Sequence, residues 1–181
     1  MTYQAPSPAI AALVNLKPDP LLFFGPDRNL MLIAERPSYP SIEELREPKL
    51  KLAGRQINPA TYTPYGHRGY HAPRLRDLKT GRETPFKGIP EGGTFRSFTW
   101  SPNGKRIAFC MNTPAGLQLW SCPTDTLECV PLGAADLNNS LGGHTSEFVT
   151  NNVIMTKLRA PVPNTASYPH YIQPTNVSRS S

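Results

Sequence analysis

The chain has 181 residues, enough for one domain of ordinary size, and a formal net charge of +6. Its basic residues are scattered and few aromatic side chains lie among them, so the composition does not favour nucleic-acid binding. The first residues lack the pattern of a signal peptide, and no apolar stretch approaches membrane-spanning length, so we expect no membrane segment.

Proline and glycine set the expected fold class. The chain contains 21 prolines and 13 glycines, and its hydrophobic fraction is 38%. Proline interrupts helix interiors and central strands. The composition therefore predicts an all-β chain of many short strands and frequent turns, in which polar or proline-rich segments dilute the core.

The first third of the chain predicts two short helices and one strand pair. Ser7-Pro8 is followed by AIAALVN, which indicates a helix capped by the serine. Residues 21–24 and 30–35 predict two strands. The capping-box pattern that begins at Ser41 predicts a helix through Arg46, which Pro48 ends. Residues 58–73 are rich in Pro, Tyr, Gly and His and read as a loop.

The most informative stretch is FTWSPNGKRIAF, residues 98–109. It predicts two strands joined by a turn, because Pro-Asn-Gly favours tight turns and the flanking residues alternate in polarity. The stretch LFFGPDRNLMLI, residues 22–33, carries the same pattern 76 positions earlier. Such a repeated hairpin unit is typical of a β-propeller.

Evenly spaced strands continue around this unit. Residues 74–132 predict consecutive antiparallel strands, and a further unit begins at Glu147, with its second strand over Val153–Leu158. We therefore expect an incomplete β-propeller over residues 1–160, with about one full blade, two partial blades and short helical pieces at its start. The prolines of residues 161–181 predict an irregular tail. A closed propeller typically needs about four to eight blades, so this chain cannot close one alone.

The side chains that could carry chemistry form no catalytic pattern. The chain lacks GxSxG, HExxH, Walker A, GxGxxG and EF-hand motifs. His67 and His71 are four apart, but the prolines and glycines around them argue against a helix that would align them as metal ligands. His144 follows two glycines in a loop. We expect no catalytic, cofactor-binding or metal-binding residue in this chain.

Carboxylates and tryptophans also have a structural interpretation. Asp77 and Asp125 stand near turns of successive hairpins, where we expect turn capping rather than catalysis. Trp100 and Trp120 lie in predicted strands, where packing between blades is favoured over ligand stacking.

The three cysteines are predicted to be buried, reduced thiols. Cys110, Cys122 and Cys129 are an odd number with no CxxC spacing. Reduced thiols favour a reducing compartment, so cytoplasm or an organelle stroma is the expected location, although the sequence does not identify it.

The stretch ERPSYPSIEELREPKLKLAGRQINP, residues 35–59, resembles the glutamyl endopeptidase branch of the prolyl oligopeptidase family. The most specific part is Leu52-Ala53-Gly54-Arg55, with Ile57-Asn58-Pro59. A YQxPxxxIxxLV opening, the PDR turn, the WSPNGKRIAF unit and GLQLW follow the family's order. The resemblance covers residues 3 to about 160.

This resemblance implies a serine peptidase in which an N-terminal propeller covers a C-terminal α/β-hydrolase domain. A Ser-Asp-His triad in that domain would cleave peptides after glutamate, and the propeller would admit peptides and exclude folded proteins. The implied partners are therefore peptide substrates and the hydrolase domain. None of the triad motifs lies in these residues, so the chain is expected to be inactive alone.

Two other interpretations remain open at this point. The chain could be a TolB-like or WD-type propeller fragment that binds protein partners. It could instead be a small β protein that self-associates through its open sheet edges.

Overall fold

The computed structural model describes residues 5–40, 42–59, 61–66 and 69–160. Two short helices, α1 (Pro8–Val14) and α2 (Ile42–Arg46), accompany the strands, and neither is long and apolar enough to cross a bilayer. The strands are β1 (Leu21–Phe24), β2 (Leu30–Glu35), β3 (Leu50–Leu52), β4 (Arg55–Asn58), β5 (Thr63–Pro64), β6 (His71–Asp77), β7 (Glu83–Pro85), β8 (Thr94–Trp100), β9 (Arg106–Thr113), β10 (Gly116–Pro123), β11 (Val130–Leu132), β12 (Ser146–Phe148) and β13 (Ile154–Thr156).

The predicted all-β fold class is confirmed. All the strand pairs among the described residues are antiparallel, and β1, β2 and both helices lie where the sequence predicts them. The proposed serine cap of α1 is wrong, because the Ser7 side chain makes no capping hydrogen bond. The Ser7 carbonyl oxygen instead accepts the Ala11 N–H at 2.9 Å. Ser41 and the predicted tail over residues 161–181 lie outside the described residues.

The strands form two four-stranded sheets, which we call the first sheet (β1-β2-β6-β7) and the second sheet (β8-β9-β10-β11). Each follows the chain as a meander, the arrangement of a propeller blade. The first unit is therefore a full four-stranded sheet, whereas the sequence predicted only a partial one. Strand β6 pairs with β2 across a long insertion, and β7 pairs with β6, which completes the first sheet.

The insertion between β2 and β6 is more regular than the sequence indicates. Strands β3, β4 and β5 form a three-stranded sheet, which with α2 we call the insert. The loop predicted over residues 58–73 is therefore wrong in part. Thr63 pairs with Asn58, and His71 already pairs with Glu35 at the start of β6.

The two central strands of the second sheet, β9 and β10, are buried on both faces because their residues alternate between two apolar clusters. Ile107 and Phe109 face the first sheet, whereas Ala108 and Cys110 face the hairpin of β12 and β13. The apolar cluster between the two sheets also contains Leu32, Leu75 and Phe86. From the second sheet and its turns it includes Phe95, Trp100, Met111, Trp120, Cys122, Leu127 and Cys129. Leu117, Leu119 and Leu137 complete the other side, where Phe148 and Ile154 pack.

The turns of the two sheets repeat as closely as the strands do. The Asp27 carboxylate accepts the Asn29 N–H at 3.1 Å, and the Asn103 side-chain oxygen accepts the Lys105 N–H at 3.1 Å. Arg28 and Gly104 then take left-handed backbone angles, with φ of 56° and 68°. The 76-residue repeat predicted from the sequence is therefore present down to the turn geometry.

The outer face of the first sheet is only partly open. Without a further blade against this face, Met31 and Ile33 would be expected to be exposed, but both are buried. In the register, Arg76 lies opposite Met31 and Arg74 opposite Ile33. These long side chains are held in place by ion pairs with Glu35 and Glu83. They shield Met31 and Ile33 from solvent, as another blade would in a closed propeller.

Candidate functional site

A cleft lies between the insert and the second sheet. The insert side of this cleft begins at a tight hairpin, in which Ala53 and Gly54 have φ of 46° and 78°. Positive φ at both central residues is the requirement of a type I′ turn. This turn lies in the most family-specific block of the sequence. It directs β4 so that Ile57 and Asn58 are buried.

Hydrogen bonds fix the insert around the cleft. The Asn58 Nδ2 atom donates to Glu47 Oε2 at 2.8 Å, and the Tyr65 hydroxyl donates to the Leu45 carbonyl at 3.2 Å. The Lys49 ammonium lies 4.8 Å from the centroid of the Tyr65 ring. These contacts connect α2 to β4 and β5, so the insert presents one wall to the second sheet.

The opposite wall comes from the second sheet, where β8 and β9 pair. The cleft has a volume of about 540 Å³ and mixes polar and apolar groups. We call it the insert cleft; it is lined by Pro40, Leu45, Glu47, Pro48, Asn58, Thr61, Thr63, Pro64, Tyr65 and Gly66 from the insert side and by Arg96, Asn112, Thr113 and Pro114 from the second sheet. The Oδ1 atom of Asn112 is buried and accepts no hydrogen bond from the described residues.

Sequence reasoning did not single out Arg96 or Asn112. The available signal is that both are polar residues within strands whose neighbours are buried, Phe95 in β8 and Met111 in β9. That pattern marks the two positions as unusual, but it does not reveal that the insert lies across from them.

The histidines do not form a metal site in the described part of the chain. His71 begins β6, and His144 lies in a loop, as predicted. His67 lies outside the described residues. The described ranges contain no group of three or more His, Cys, Asp or Glu side chains placed to hold a metal ion.

The aspartates cap turns, as predicted. The Asp77 carboxylate accepts the Lys79 and Thr80 N–H groups at 2.8 and 2.9 Å. These hydrogen bonds, the one from Thr80 first, lower the pKa of Asp77. Asp125 accepts the Thr126 N–H at 2.8 Å. Both carboxylates are thus engaged with backbone groups of their own turns.

The tryptophans pack as predicted. Trp100 lies against the first sheet, 6.5 Å between ring centroids from Phe23. Trp120 stacks on Phe109 across the strand pair of β9 and β10, at 6.4 Å and an interplanar angle of 16°. Both therefore contribute to the core between the two sheets.

The three cysteines are buried free thiols, as predicted. Burial raises the pKa of Cys110 to about 11, although a contact with the Ser146 hydroxyl at 3.7 Å opposes that effect. The pKa of Cys122 is also raised, first by the thiol of Cys129 beside it and then by burial. Neutral thiols of this kind are poor nucleophiles.

Two curated plant proteins match this sequence. The chain is 32% identical over 144 residues to the probable glutamyl endopeptidase, chloroplastic, of Oryza sativa subsp. japonica, which covers 73% of this chain and 15% of that protein. It is 36% identical over 112 residues to the protein of the same description from Arabidopsis thaliana, covering 59% of this chain and 12% of the relative. The chain thus spans less than a sixth of the length of these relatives.

No family model matches the sequence. Similar solved structures include a putative TolB from Agrobacterium tumefaciens, with 17% identity, a TM-score of 0.38, and coverage of 69% of this chain and 32% of that one. An acylaminoacyl peptidase has 16% identity and a TM-score of 0.38, and the match covers 72% of this chain and 16% of that one. Over the matched residues, the chain is similar in sequence to these probable glutamyl endopeptidases, as the block around Leu52–Pro59 predicted.

Proposed function

We propose that this chain is the N-terminal propeller portion of a glutamyl-endopeptidase-like serine peptidase and that it controls which substrates reach the catalytic domain. The observation that supports this function best is the 32% identity over 144 residues to the rice relative. The two consecutive four-stranded meanders are consistent with it, because they supply propeller blades rather than a hydrolase sheet.

The chain alone is proposed to be inactive. Serine peptidases of this mechanism need a nucleophile, a positioned base and an oxyanion hole, and this sequence has no GxSxG elbow. The purified chain should therefore not hydrolyse a peptide substrate that contains glutamate. Turnover above a buffer control that a serine-directed inhibitor abolishes would contradict this expectation.

A chimera tests the gating role. The matching region of the rice relative is replaced by this chain, and cleavage of a short glutamate-containing peptide and of a folded protein is measured. We expect the chimera to cleave the peptide and spare the folded protein. A second variant that simply lacks the region provides the comparison, and it should lose the discrimination. A folded chimera that cleaves both substrates equally well would contradict the gating role.

Self-association of the isolated chain follows from its uncovered apolar groups. Leu22 and Phe24 are about half exposed on the outer face of the first sheet, and Met155 is exposed on the hairpin of β12 and β13. Burying several such side chains favours association. Size-exclusion chromatography with light scattering should show oligomers, and a Leu22→Ser/Phe24→Ser double variant should shift them toward monomer. A monodisperse monomer of the unchanged chain would contradict this part of the proposal.

A further inference from the structure

Two of the three free thiols lie beside each other. Cys122 and Cys129 are both buried and belong to the apolar cluster between the first and second sheets. Contact with the Cys129 thiol is the first cause of the raised pKa of Cys122. Cys110 belongs to the other apolar cluster, on the opposite face of the second sheet. The fold therefore brings two cysteines together and keeps the third apart from them.

The antiparallel pairing of β10 with β11 places Cys122 opposite Cys129. Ser121 pairs with Val130 at the end of this ladder, and the next step along each strand brings the two cysteines together. Residues directly opposite each other on one face of an antiparallel pair have Cβ atoms about 4.5–5.5 Å apart. A disulfide needs about 3.5–4.5 Å between Cβ atoms, so a small local adjustment is enough to join the two sulfur atoms.

The hydrogen-bond pattern makes this the closer of the two kinds of cross-strand pair. Pro131, opposite Trp120, has no N–H, so that pair cannot exchange two backbone hydrogen bonds. Hydrogen-bonded and non-hydrogen-bonded pairs alternate, so the cysteines two residues further along are also a non-hydrogen-bonded pair. The Cys129 N–H accordingly donates to the Lys87 carbonyl, at 2.9 Å. Such pairs have Cα atoms about 4.5 Å apart, within the range that a disulfide spans.

The edge of the second sheet gives an oxidant a route to these buried thiols. Strand β11 is the outermost strand of that sheet, and its three residues are exposed. Glu128, next to Cys129 in the chain, has a side chain that is 70% exposed. Short exposed segments of this kind open locally more readily than central strands. Because neutral thiols are poor nucleophiles, exchange should be slow and should depend on this opening.

We propose that Cys122 and Cys129 form a reversible disulfide by exchange with a small-molecule disulfide such as oxidised glutathione. The Cys129 thiol loses its proton and attacks one sulfur of the oxidant, whose S–S bond breaks and releases one thiol. The Cys122 thiol then loses its proton and attacks the Cys129 sulfur of the mixed disulfide, which releases the second thiol. The two cysteines thereby lose two protons and two electrons, and the two released thiols carry them.

The disulfide would strengthen the connection between the two sheets. The Lys87 N–H donates to the Leu127 carbonyl at 2.8 Å, so two backbone hydrogen bonds already join the segment before β11 to the residues that follow β7. A covalent bond from Cys129 to Cys122 would attach the same segment to β10. Closing this short loop restricts the unfolded chain, so the oxidised form should be the more stable one.

The test incubates the folded chain with oxidised glutathione, then denatures it and alkylates the remaining thiols. The reduced chain should take up three alkyl groups and the oxidised chain only one. Cleavage after Glu128 separates the two cysteines, so a pair of peptides joined through Cys122 and Cys129 identifies the link. Oxidation should raise Tm by about 5 °C or more, and dithiothreitol should reverse both changes.

Cys110→Ala is the matched control, because it removes an equally buried thiol from the other face of the second sheet. This variant should still form the disulfide and show the same rise in Tm, whereas Cys129→Ala should form no cross-link. The peptide map of the unchanged chain does not depend on the folding of either variant. The proposal is overturned if the folded chain keeps three free thiols, if it stops at a glutathione adduct, or if the link includes Cys110. Formation of the link only at denaturing urea concentrations would also overturn it.

Discussion

The first and second sheets are built from the same repeat but stand in different surroundings. Trp100 of the second sheet is 8% exposed, whereas Phe24, which occupies the equivalent position 76 residues earlier, is 52% exposed. Trp100 has the first sheet against it, and Phe24 faces the side where no further sheet packs among the described residues. Whether an aromatic side chain at this position is buried therefore depends on whether another sheet packs against it. The repeat sequence alone does not determine that.

Truncating the two equivalent aromatic residues should change stability by very different amounts. Trp100→Ala should lower the free energy of unfolding by about 3–5 kcal/mol, because it opens a cavity between the sheets. Phe24→Ala should change it by less than about 1 kcal/mol, since half of that side chain is already exposed. Urea denaturation of both variants provides the measurement, and equal losses would show that the two sheets are enclosed alike.

Alkaline pH tests how well the other face of the second sheet is shielded from water. Cys110 is buried against the hairpin of β12 and β13, and its pKa is raised from 9.0 to about 11. Between these values the unfolded state binds fewer protons than the folded state, so stability falls as pH rises from about 9 to 11. The loss from this thiol should reach about 2–3 kcal/mol.

Cys110→Ala provides the control for that experiment. The variant should lose less stability over the same pH range, because the ionisable thiol is gone while the other titrating groups remain. Unfolding curves at several pH values measure the difference. Parallel losses in the variant and the unchanged chain would mean that the hairpin does not exclude water from Cys110.

Substitutions in the two equivalent turns should have smaller effects on stability, and of opposite sign. Gly104→Ala places a Cβ on a backbone with φ of 68° and should destabilise the chain by about 1 kcal/mol. Arg28→Gly relieves a φ of 56° at the equivalent turn and should be neutral or slightly stabilising. Thermal unfolding compares the two. A stabilising Gly104→Ala would contradict the equivalence of the turns.

The sequence predicted the elements whose signal is local. The Asn103-Gly104 turn and the alternation along Arg106–Thr113 lie within a few residues of one another, so pattern alone identifies the hairpin. The helix Pro8–Val14 was found in the same way. The repeat at residues 22–33 then located the first sheet.

What the sequence did not predict depends on distant pairing. Strand β5 has only two residues and is a strand only because it pairs with β4, so the composition of this segment predicted a loop. Met31 and Ile33 are covered by arginines some 40 residues later in the chain, a register that no local pattern reveals. The insert cleft likewise joins Asn58 to Asn112 across two different sheets.

Hydrogen exchange of the backbone amides measures the difference between the two sheets, because among the described residues the second sheet packs against other strands on both faces and the first sheet on only one. Strand β9 is buried along Ile107–Met111, whereas β1 is exposed over Leu22–Phe24. We predict that the amides of β9 exchange at the rate of global unfolding and that those of β1 exchange at least about ten-fold faster through local opening. Equal protection of β1 and β9 would contradict the account.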